Sequence, residues 1–66
     1  MTKKDAIISK ATGLISNYLG DTTAKMYEKH FMVIPEPMIM QTLEELLSEI
    51  VGPDNAKKQI EPFLNL

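Results

Sequence analysis

The chain has 66 residues, room for one domain over 1–66, and no cysteine to supply a disulfide or a thiolate metal site. Seven lysines, no arginine and a net charge of −2 argue against a nucleic-acid partner, which needs a basic face and favours arginine forks. No run of about 18 apolar residues exists, and Lys3, Lys4, Asp5 and Lys10 interrupt any signal-peptide core, so no membrane association and a cytoplasmic protein are expected.

The first helix is expected to start after Thr2, an acceptable N-cap, with Asp5 as its capping-box partner. Its inward stripe is Ile7, Ile8, Ala11, Leu14, Ile15, Tyr18 and Leu19, spaced to share one side of a 3.6-residue helix. Gly20 should stop it in a left-handed cap, and Asp21 should cap the next helix at once. The second helix runs from about Thr22 to Met32 or Val33. It turns Ala24, Tyr27, Phe31 and Ile34 inward and holds Met26 and His30 along the margin.

Pro35-Glu36-Pro37 ends that helix, because each proline disfavours helical geometry in the residue before it. Pro37 can open the third helix, roughly 37–51, whose stripe is Ile39, Met40, Leu43, Leu46, Leu47, Ile50 and Val51. Gly52-Pro53-Asp54 forms the second tight joint. The fourth helix starts near Pro53 or Asp54 with Ala56, Ile60, Phe63 and Leu64 inward, and Pro62 kinks or ends it.

The two stripes lie 32 positions apart, and the match continues past each glycine: Ala24 and Lys25 answer Ala56 and Lys57, and Phe31 answers Phe63. The expected fold is therefore all-α, a small four-helix domain built from two helix–Gly–helix hairpins. Amphipathic helices of equal length agree over such positions by construction, so convergence explains the repeat at least as well as duplication. The period invites comparison with tetratricopeptide arrays, but the tryptophan and glycine-tyrosine signature is missing and two units are too few. Stripes this wide, with an apolar fraction of 44%, exceed what a monomer of this length easily hides, so a homodimer is expected. Helix one carries Lys3, Lys4 and Lys10, and helix three carries Glu44, Glu45 and Glu49; opposite fields favour the two lying side by side, but solvated faces are the simpler reading, since exposed pairs add little.

No pattern of catalytic groups emerges. His30, the only histidine, is followed by Phe31-Met32-Val33-Ile34 rather than a phosphotransfer context, and boundary packing is its simplest role. Met26, Met32, Met38 and Met40 surround the proline joint. Thioethers beside an imidazole suit copper(I), but adaptable core filler or a plastic contact surface is the commoner use. Glu44 and Glu45 are adjacent and point about 100° apart, so they form no carboxylate dyad. Gly13 lies mid-helix on the polar side, either by chance or for a close helix crossing. The chain is thus expected to be no enzyme, with no metal and no cofactor.

The joint from His30 to Met40 is the one connection that is not a glycine stop. Phe31 and Ile34 there read as core, whereas Met32, Val33, Met38 and Met40 are the candidate partner-binding residues. A non-catalytic protein–protein interaction or dimerisation module is expected, with a protein partner, a second copy, or both. The alternative is a small regulatory subunit or ligand-binding helical protein that uses the methionine-rich joint as a pocket lip.

Leu19-Gly20-Asp21-Thr22-Thr23-Ala24-Lys25, Leu43-Glu44-Glu45-Leu46, Gly52-Pro53-Asp54 and Pro62-Phe63-Leu64 follow one another in an order that resembles a known domain. It is the small helical accessory domain at the C-terminal end of bacterial Ser/Thr protein kinases and response regulators. The similarity covers roughly 14–64. It departs at Asp21, where proline is usual, and lacks the arginine before the phenylalanine. The resemblance implies a non-catalytic signalling accessory domain and transfers no functional residue.

Overall fold

A computed structural model describes residues 2–65, with the side chains of 64 and 65 outside that description, so the expected inward placement of Leu64 lies outside the described residues. The chain forms α1 (Lys3–Leu19), α2 (Asp21–Val33), α3 (Glu36–Val51) and α4 (Pro53–Ile60), closed by a 3₁₀ turn (Glu61–Asn65). Among the described residues there is no strand, and no helix is long and apolar enough to cross a membrane. The radius of gyration is 10.8 Å, against about 11 Å expected for a compact chain of this length.

Each boundary has a local cause. The Thr2 hydroxyl accepts from the Asp5 N–H at 3.1 Å, and the Thr2 N–H donates to the Asp5 carboxylate at 3.3 Å, a complete capping box. Gly20 and Gly52 each serve two helices. The Gly20 N–H donates to the Ser16 carbonyl at 2.9 Å, and its own carbonyl accepts from Ala24 at 3.1 Å. The Gly52 N–H donates to Ser48 at 3.0 Å, and its carbonyl accepts from Ala56 at 2.9 Å. One residue thus ends a helix and starts the next.

These joints correct two expectations. Gly20 has positive φ but is not a left-handed helical cap: at φ 92° and ψ 165° its backbone is extended in the mirror-image sense. That conformation is essentially confined to glycine. With Gly20 already at the cap position, Asp21 becomes the first residue of α2, and its carboxylate accepts from the Ser16 hydroxyl instead of capping a backbone N–H. Helix three likewise starts one residue early, at Glu36 with Pro35 as its cap. Pro37 still falls in the first turn, where a missing N–H costs nothing.

The buried apolar residues are Ile7, Ile8, Ala11, Ile15, Ala24, Phe31, Ile39, Leu43, Leu47, Ala56, Ile60 and Phe63. All but Ile8 and Ile60 fall into pairs 32 positions apart, so the repeat in the sequence is a repeat of core positions. α1 packs on α2, α3 packs on α4, and α1 meets α3. Leu14, Tyr27, Ile34, Met40, Leu46 and Val51 pack around this core.

One chain covers most of both stripes, so stripe width alone does not call for a second copy. The exceptions are Tyr18 and Leu19, each 41% exposed. Positions four apart drift about 40° around a helix, so the row Ile7–Ala11–Ile15 has rotated away from the core by Leu19. α4 stops at Ile60, two residues before Pro62, whose ring would collide with the carbonyl four residues back.

Candidate functional site

The joint between α2 and α3 is built from the inside out. Phe31 and Ile39 are fully buried and Ile34 packs against the core between them. Ile34 is extended at φ −111° and ψ 157°, the geometry a following proline imposes. The Pro35 carbonyl then accepts from Met38 at 3.0 Å and Ile39 at 3.1 Å, starting α3. With these residues turned inward, the side chains between them must face solvent.

Three of the four sequence candidates do so. Val33 is 79% exposed, Met32 63% and Met38 48%, whereas Met40 is half-buried and packs against the core. Met40 instead borders a small recess with Lys3, Ile7, Glu36, Pro37 and Phe63. Met32 lies in a shallow groove between α1 and α2, beside Asp5, Ile8 and Glu28.

Two further contributors lie outside the four candidates. Met26 is 67% exposed, more than Met32, and shares the outer face of α2 with Val33 and Lys29. The ammonium of Lys4 donates to the Met32 carbonyl at 3.2 Å, across 28 positions of sequence. That bond satisfies one of the carbonyls left open at the C-terminus of α2 and places a cation where the helix dipole favours it. The apolar periodicity of α2 could have found Met26. Nothing local could have found the Lys4 contact.

The remaining candidates are dispersed. His30 is exposed rather than packed at a boundary, its ring 6.3 Å from that of Phe31. Glu45 faces solvent and accepts from the Gln41 amide at 3.5 Å, while Glu44 is half-buried on another side of α3. Among the described residues no group of three or more His, Cys, Asp or Glu is placed to hold a metal ion. Gly13 serves no helix crossing, because a Cβ there would meet nothing within 4 Å.

A recess of about 540 Å³ lies between α1 and the end of the chain, lined by Lys10, Gly13, Leu14, Asn17, Gln59 and Phe63 among others. It is away from the methionine-rich joint, whose Glu36, Pro37 and Met40 border the smaller recess instead. No protein-family model, no curated protein and no solved structure matches this chain.

Proposed function

We propose that the protein is a non-catalytic protein–protein interaction or dimerisation module, built as two helix–Gly–helix hairpins. The observation that carries this reading is the exposed apolar surface of Met26, Met32, Val33 and Met38 along α2 and at the α2–α3 joint. Scattered apolar side chains on a surface are ordinary, but here the three most exposed large ones share a single helix and its end. Methionine adapts its shape to a partner, and the proline joint limits the entropy lost when its neighbours are covered. A signalling setting in bacteria is supported by the motif resemblance alone.

The test is a triple variant, Met32→Ser, Val33→Ser and Met38→Ser, compared with wild type by sedimentation equilibrium, by co-purification with the native partner and by thermal melting. The reading expects association to fall while stability stays within about 1 kcal/mol, the usual range for exposed positions. Retained association at wild-type strength would contradict it. An unfolded triple variant would show that these side chains are core.

A further inference from the structure

Two helices of this chain present outward faces of opposite charge. On α2 the side opposite buried Ala24 and Phe31 holds Met26, Lys29 and Val33, with Lys25 at its edge one helical turn before Lys29, all exposed. Its two acids lie off the centre of that side: Asp21, one turn before Lys25, is engaged by Ser16, and Glu28 borders the groove facing α1. On α3 the side opposite buried Ile39, Leu43 and Leu47 holds Met38, Gln41, Glu45 and Glu49, again all exposed, with no cation.

The repeat shows that the fold does not demand this segregation. In the positions equivalent to Glu45 and Glu49, α1 has Gly13 and Asn17. In those equivalent to Met26 and Lys29, α4 and the turn after it have Lys58 and Glu61, a mixed-charge face. The same structural slots are filled by neutral or mixed residues in one half and by a charged, methionine-bearing face in the other.

We infer that the outer face of α2 docks on the outer face of α3 of a second copy, with the helices antiparallel. The inference rests on the reading of the protein as an interaction module. The charges match in number and spacing, because Lys25 and Lys29 are one helical turn apart and so are Glu45 and Glu49. The apolar residues select the direction. Val33 follows its lysines and Met38 precedes its glutamates, so Lys29 against Glu45 and Lys25 against Glu49 brings both apolar residues to one end only in an antiparallel pair. Exposed charge pairs add little affinity individually, but they set partner, register and encounter rate, while the covered methionines and valine supply apolar burial.

Charge reversal with rescue tests it. Sedimentation equilibrium is run on wild type, on Lys25→Glu/Lys29→Glu, on Glu45→Lys/Glu49→Lys, and on an equal mixture of the two variants, with circular dichroism confirming that each is helical. Wild type should self-associate, and each double variant alone should associate about tenfold or more weakly, since like charges then face each other. The mixture should recover association as a complex of one variant with the other, and added salt should weaken it. Wild-type-strength association by either variant alone would overturn these faces as the interface, leaving the apolar joint as the interaction surface. A mixture that does not recover would overturn it too. A wild type that stays monomeric would overturn the second copy as occupant, while co-purification of the Met32, Val33 and Met38 variant still decides the broader reading separately.

Discussion

Gly20 and Gly52 hold the same unusual backbone conformation 32 positions apart, φ 92° and ψ 165° in one and φ 91° and ψ 157° in the other. Each accepts from an alanine four residues ahead and donates to a serine four residues behind. A Cβ at either position would meet no heavy atom within 4 Å beyond its chain neighbours, so space is not what requires glycine. Backbone sterics are. Gly20→Val and Gly52→Val should each cost on the order of 1–3 kcal/mol, measured as a lower urea midpoint with unchanged slope. A D-alanine at either position, introduced by chemical synthesis, should be tolerated, because this conformation is the mirror image of ordinary extended backbone for an L-residue and is therefore ordinary for a D-residue. Equal losses from D-alanine and valine would contradict the account.

Gly13 is the opposite case. It sits inside α1 with helical geometry and open space around its α-carbon. Gly13→Ala should therefore stabilise the protein by about 0.5–1 kcal/mol through the reduced entropy of the unfolded chain. A lower melting temperature would mean that the recess it lines needs a bare backbone.

Phe31 ties the exposed end of α2 to the core. It is fully buried, and its ring lies 5.8 Å from that of Tyr27. Phe31→Ala should cost about 3–5 kcal/mol, comparable with the whole stability of a domain this small. The variant should show little cooperative melting by circular dichroism. Val33→Ser, two residues on but 79% exposed, should melt within about 0.5 kcal/mol of wild type. Similar losses for both would show that the end of α2 is buried more deeply than described.

Lys4 offers a smaller effect with a clear direction. Lys4→Met keeps the aliphatic stem but removes the donor to the Met32 carbonyl. A loss of about 0.5–1 kcal/mol is expected, with faster amide exchange confined to the last turn of α2. An unchanged exchange pattern would show that this bond does not anchor the helix end.

What the sequence made legible follows from how each feature is encoded. Helix ends were readable because Gly20, Gly52 and Pro35 act through their own covalent geometry, and the core was readable because Ile7, Ala11 and Ile15 share a helical face with no outside information. The ψ angles of the glycines were not, since glycine permits several conformations and the neighbouring helices select one. The exposure of Leu19 depends on accumulated drift along α1. The Lys4–Met32 contact depends on how α1 packs against α2. Met40 reads as a contact residue from its place beside the prolines and as inward from its place in the α3 stripe, and the stripe is what holds: it packs against the core.

Concentration-dependent amide chemical shifts of the wild-type protein test the central claim most directly. Between low and high micromolar protein, the account expects progressive shifts along the outer faces of α2 and α3, including Met26, Lys29, Val33, Met38 and Glu45, and at the exposed joint residue Met32. Residues lining the recess near Lys10, Asn17 and Gln59 should stay still. Shifts confined to that recess, or none anywhere in the chain, would contradict it.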